Sequence, residues 1–106
     1  MILDVLIDTQ EVKVQIPDEM LTDAGDFFAK MDADMDKGWK MGPSYIENPD
    51  VMMRAQIAAD RMLTAIDTEN TSLAQLMAAY IVTRIPGVKM VNIDIEGDPL
   101  NTEIIV

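Results

Sequence analysis

The chain of 106 residues is acidic, with 19 Asp and Glu against 8 Lys and Arg and a formal net charge of −11. It contains neither cysteine nor histidine, which excludes disulfides, thiolate nucleophiles and thiolate metal sites, and removes both the usual general base and the commonest ligand of zinc, copper and iron. Its few cations are spread along the sequence and supply no basic face for a phosphate backbone or an anionic bilayer, so neither nucleic acid nor a membrane is an expected partner.

With 49% hydrophobic residues, the length suits a single α+β domain over residues 1–106. No segment approaches the ~20 apolar residues of a membrane span. The opening MILDVLID has neither the basic residues nor the long apolar run of a signal peptide. A cytoplasmic location is therefore the expectation.

Residues 2–7, ILDVLI, and 11–16, EVKVQI, predict two strands joined by a short polar turn at 8–10. In the second strand Val12, Val14 and Ile16 alternate with Glu11, Lys13 and Gln15, the pattern of a sheet with one wet face. Pro17-Asp18-Glu19 opens a helix with acids in its first turn, where the helix dipole favours them. Met20, Leu21, Ala24, Phe27, Phe28, Met31 and Met35 recur at helical spacing, so residues 18–37 are expected to form one continuous helix ending near Gly38. Gly25 lies inside it at a cost of about 1 kcal/mol relative to alanine.

Asn48-Pro49-Asp50 predicts a second helix, with Asn48 as N-cap and Pro49 in the first helical position. Its apolar stripe is Met52, Ala55, Ala59, Met62, Leu63 and Ile66, and Asp50 and Arg54 are spaced to pair one turn apart. After a polar break at 67–71, Ser72-Leu73-Ala74-Gln75 fits a capping box for a third helix, Leu73–Ile85. That helix is apolar nearly all round, which requires burial inside the domain or a shared homo-oligomer interface. Pro86-Gly87 stops it. Residues 88–95, with Val91, Ile93 and Ile95 facing inward, and residues 102–106 then predict two closing strands. The order β-β-α-α-α-β-β is satisfied by one antiparallel sheet of about four strands with three helices on one face.

The chemically suggestive stretch is residues 30–43, KMDADMDKGWKMGP. Asp32, Asp34 and Asp36 resemble ligand positions 1, 3 and 5 of an EF-hand calcium loop. Position 6, where that loop needs glycine, is Lys37, and position 12, where it needs glutamate, is Pro43. The triplet therefore reads as the solvated end of a helix, with cation binding as the alternative. The following loop, residues 38–45, gathers Trp39, Lys40, Met41 and Tyr45 between glycines, a composition suited either to recognition or to pinning a crossover onto the core. The 10 methionines fall mainly on the apolar stripes and read as core filling.

No nucleophile–base motif is present and no cofactor is implied. Asp60 and Arg61, inside the second helix, are the acid–base pair least easily assigned to the surface. The expected function is that of a non-enzymatic accessory or adaptor protein acting on a protein partner, a basic one given the net charge. A small cation- or ligand-binding module at Asp32, Asp34, Asp36 and the Trp39 loop is the alternative, and a carboxylate enzyme a remote one.

Overall fold

The computed structural model describes every residue except Gly42 and Gly97, together with the side chains of the described residues other than Met41 and Ser44. Ile2–Ile7 forms β1 and Gln10–Gln15 forms β2. They pair antiparallel with Leu3 opposite Val14 and Val5 opposite Val12, so the alternation read from the sequence puts four aliphatic residues on one face. The turn between them places Asp8 at φ 57°, a left-handed conformation that aspartate adopts more readily than most residues.

Two helices follow where one was expected: α1, Asp18–Asp23, and α2, Gly25–Asp36. Ala24, with φ −91° and ψ 12°, ends the first and caps the second. Gly25 thus sits at a junction, where its cost in a helix interior is avoided. The break redirects the apolar stripe: Phe28, Met31 and Met35 are buried, whereas Phe27 is 38% exposed. A short hairpin, β3 (Trp39–Met41) and β4 (Ser44–Ile46), then occupies what the sequence reads as loop.

Helix α3 runs Val51–Asp67 and α4 runs Thr71–Arg84. Their caps differ from the sequence-based assignment. Asp50 rather than Asn48 caps α3, its carboxylate accepting from the Met53 amide at 2.8 Å, and Asn70 rather than Ser72 caps α4, accepting from the Leu73 amide at 3.2 Å. Both reach the third residue of their helix, the standard N-cap geometry. Strand β5 (Met90–Ile93), a 3-10 turn at Pro99–Asn101 and strand β6 (Glu103–Ile105) complete the chain. Ile95, expected inside, lies beyond β5 and is 50% exposed. Gln56 of α3 secures the closing segment by donating to the carbonyls of Leu100 and Thr102, each at 3.0 Å.

Among the described residues, the fold is α+β, with four α-helices, a four-stranded sheet in the order β2-β1-β5-β6 and the β3–β4 hairpin apart. The main sheet is mixed, not antiparallel: β5 lies beside β1 in parallel, with Val5 opposite Val91 and Ile7 opposite Ile93. The helical segment between β2 and β5 acts as a crossover that returns the chain to the middle of the sheet. This sets the two most apolar strands side by side and leaves the polar β2 at an edge. The helices cover the face bearing Leu3, Val5, Val14, Val91 and Ile93. Among the described residues, no helix is long and apolar enough to cross a membrane.

Helix α4 is the centre of the core. Met77, Ala78, Ala79, Tyr80 and Ile81 have no exposed surface. The chain itself covers them, so the all-apolar helix gives no ground for an oligomer interface along Leu73–Ile85. Replacing Met77 with alanine should cost about 2–5 kcal/mol through lost burial and an unfilled cavity, whereas Met52→Ala on the exposed flank of α3 should stay within ~0.5 kcal/mol. Urea midpoints at constant m-value distinguish the two.

Candidate functional site

Polar groups concentrate in two places. The first is a cluster at the α2–α3–α4 junction. Tyr80, buried in α4, donates its hydroxyl to Asp32 Oδ1 at 2.6 Å. Arg84, one turn further, sends Nε and Nη2 to Asp32 Oδ2 at 3.2 and 2.8 Å. Arg54 of α3 reaches the Asp32 carbonyl at 3.1 Å and Oδ1 at 3.3 Å, while its Nη2 binds Asp36 and its Nε binds the Pro49 carbonyl at 2.8 Å. The Arg84 guanidinium also lies 5.1 Å from the Tyr80 ring centre and 5.8 Å from that of Phe28, within cation–π range of both.

Burial alone would raise the Asp32 carboxyl, but the bonds from Tyr80, Arg84 and Arg54 outweigh it and hold it below the ordinary aspartate range. Desolvation and the Asp32 charge together push the Tyr80 hydroxyl upward. The Arg54 guanidinium is raised, chiefly by Asp36. A shallow pocket of about 490 Å³ opens here, lined in part by Asp32, Asn48, Asp50, Arg54 and Arg84. In it, Arg54 and Arg84 are both bonded to Asp32, and Asp50 to the Met53 amide. Among the described residues, no buried side-chain nitrogen or oxygen lacks a hydrogen-bond partner. The cluster is a structural clasp.

This revises the acidic triplet. Asp32 and Asp36 lie one turn apart: Asp32 is partly buried under Arg54 and Arg84, Asp36 pairs with Arg54 while staying exposed, and Asp34 is exposed elsewhere. Among the described residues, no three carboxylates come together in a way that could hold a metal ion. The anticipated Asp50–Arg54 pair is replaced, because Asp50 caps the helix and Arg54 turns to α2. Sequence spacing could not reveal the clasp, since its partners are 22 and 52 residues from Asp32.

The residues of the 38–45 loop do not converge on either polar site. Trp39 is half-buried against the core alongside Ile46, its partner across the hairpin. Tyr45 is 61% exposed, yet its hydroxyl donates to the Lys37 carbonyl at 3.0 Å and lies over Gly38, which holds φ 98°. Lys40 is exposed. Met41 belongs to β3, and its side chain is outside the described residues. Asp60 is raised by burial alone and has no acid or base arranged with it.

The second place is the β2 edge of the sheet, the opposite edge being the three-residue strand β6. Ile16 donates to the Met1 carbonyl at 2.7 Å and Met1 donates back at 3.2 Å. Close pairs alternate along an antiparallel ladder, so Val14 and Val12 also turn their backbone groups toward β1. Glu11, Lys13 and Gln15 turn theirs outward. Among the described residues, no backbone group of another element bonds to them. Beside this edge runs a trough of about 610 Å³ between β2 and the α3–α4 corner, floored by Val12, Val14, Ala65, Ile66 and Ala74. A second depression of about 480 Å³, sharing Gln15 and Gln75 with the first, carries the trough on to Pro17.

The trough's outer lip holds Glu69, at φ 57°. It closes α3 as a Schellman turn, with the Asn70 amide on the Ala65 carbonyl at 2.8 Å and the Glu69 amide on that of Ile66 at 3.1 Å. That position normally takes glycine. Across the strand, Lys13 is held by Asp4 at 2.9 Å and Glu11 at 3.1 Å, and these bonds raise its ammonium. The alternation of residues 11–16 was legible in the sequence. That β2 would be an edge, with a trough beside it, depended on the parallel β1–β5 pairing.

No family model, no curated protein and no solved structure matches this chain, so geometry alone carries the functional argument.

The clasp gives a pH signature. A carboxyl depressed in the folded state contributes stability that is full above its unfolded value of ~3.9 and is lost as pH falls through the folded value. Asp32→Asn should cost about 2 kcal/mol near pH 7, less than for a fully buried pair because Asp32 retains some exposure. The gap between variant and wild type should close as the pH drops well below 4. Urea titrations across that range check both points.

Proposed function

We propose that this protein is a non-enzymatic, cytoplasmic binding module that accepts an extended segment of a partner protein as an added strand along β2. The supporting observation is the outward row of backbone groups at Glu11, Lys13 and Gln15, directly beside an apolar trough. Strand addition uses these two features together: main-chain hydrogen bonds give affinity, and side chains at alternate positions fill the depression. Six residues of β2 offer a strand of roughly 17–20 Å, the usual length in globular proteins.

The rest of the molecule is consistent with a recognition role. The charges of the clasp are bonded to one another, whereas, among the described residues, the outward backbone groups of the edge have no such partner. A chain of net charge −11 favours a protein partner over nucleic acid or an anionic membrane. The absence of cysteine suits a reducing compartment. A homo-oligomer has no support from α4, which is already covered.

Proline is tolerated on an edge strand where its missing N–H faces solvent. Lys13→Pro should therefore keep the fold, read by circular dichroism, while removing the central outward donor. Lys13→Ala controls for the lost ammonium. A photoreactive residue at Gln75 should give a discrete adduct in native extract, retained with Lys13→Ala and lost with Lys13→Pro. Equal labelling from Asn92, on the open sheet face, or survival of the adduct in Lys13→Pro would refute docking along β2.

A further inference from the structure

The charges around the trough define what kind of strand it takes, an inference that rests on the docking reading above and adds partner chemistry to it. The floor is made of small and branched aliphatic groups, Val12, Val14, Ala65, Ile66 and Ala74. Side chains of an added strand that point toward the helices would meet these groups, with Thr71, Gln75 and Glu69 around them, so aliphatic residues fit over the floor. Its other side chains would point toward the open sheet face, beside Glu11, Lys13 and Asp4. There the one lysine is already bound by both acids, leaving a net negative charge.

The lip adds a further carboxylate. Glu69 is exposed and, among the described residues, forms no ion pair. It also occupies a left-handed position, φ 57°, that glycine would fill without steric cost. Of the three described non-glycine residues with positive φ, the other two are Asp8 and Asn48, types that tolerate this region. Glutamate has no such local reason to be there. Strain of this kind persists where the surroundings impose it, and it concentrates at sites of binding.

We infer that the trough selects a basic strand, one alternating aliphatic residues toward the helices with Lys or Arg toward the open face beside Asp4 and Glu11, and that Glu69, on the helix side of the trough, adds to the negative field that selects it. A second copy of this chain is the poorer occupant. Each copy carries a net charge of −11, so edge-to-edge pairing would bring two acidic surfaces together, and like charges in register oppose association.

The test uses the full chain, isotopically labelled, and two blocked hexapeptides, one alternating valine with lysine and the other valine with glutamate. The lysine peptide should shift the amides of Glu11, Lys13 and Gln15 most, at least tenfold more tightly than the glutamate peptide, and the difference should shrink with added salt. Glu69→Gly should keep or raise the melting temperature while weakening the lysine peptide about twofold at low salt, the effect of losing one nearby unpaired charge. Equal affinity for both peptides, or an unchanged affinity in Glu69→Gly, would overturn the charge selection while leaving strand docking intact. If neither peptide moves the β2 amides at millimolar concentration, docking along β2 fails as well. Concentration-dependent shifts at those amides without peptide would assign the edge to a second copy and overturn the inference.

Discussion

Helix α4 is apolar nearly all round and enclosed over most of its length, with its first turn and Thr83 left to solvent. From Ala74 to Val82 its residues are almost all buried, and an apolar helix of that kind must be enclosed on every side. The sheet encloses one side, α3 another, and α1 and α2 the remainder. Alanines at 78 and 79 of α4 and at 55, 58, 59 and 65 of α3 leave little side-chain bulk between the helices and favour close approach. Enclosure has one complication, because Tyr80 brings a hydroxyl into the centre. A buried hydroxyl without a partner would cost on the order of 1–3 kcal/mol. Asp32 meets it, and once a carboxylate is half-buried there it needs cations in turn, which Arg54 and Arg84 provide. The clasp is the consequence of wrapping a tyrosine-bearing apolar helix, and it fixes where α2 lies.

The same wrapping explains why the edge stays open. The helices are committed to α4, and the crossover that carries them returns to the middle of the sheet. Neither β3–β4 nor the closing strand reaches β2, whose only strand partner is β1. Proteins commonly guard such edges with charge, above all lysine. Lys13 stands in the guarding position, but Asp4 and Glu11 hold it, which lessens its power to repel an approaching strand that is itself basic.

How far the fold could be read from the letters varies from element to element. The alternation of Val12, Val14 and Ile16 identified a strand and its inner face, because period 2 is a local property. The encircling apolarity of α4 identified its burial for the same reason. Helix junctions were less legible: Gly25 was seen as a cost inside one helix, yet it marks the boundary between two. Asn48 looks like a cap, but it stands at φ 46° with its side chain toward Arg54, and Asp50 does the capping. The triplet was legible in part: it does end a helix, with Asp34 and Asp36 exposed, but Asp32 is drawn beneath two arginines. What makes Asp32 special is Tyr80 and Arg84, brought near by tertiary packing that no spacing rule encodes.

An acidic surface and an unpaired edge belong to one physical argument. A free strand edge is a template for any extended chain, including copies of itself, and indiscriminate pairing leads to aggregation. Short, twisted or proline-bearing edges suppress all pairing alike. A strong net charge suppresses it selectively, because repulsion acts on like-charged chains and turns to attraction for chains of opposite sign. With −11 on a chain of this length, self-association is disfavoured at long range before any hydrogen bond forms. A basic segment approaching the same edge is steered toward it, and the trough beside β2 then discriminates by shape. On the docking reading proposed above, charge acts on encounter and the aliphatic floor acts on fit, so that an edge that would be a liability in a neutral protein would serve as a selective docking surface.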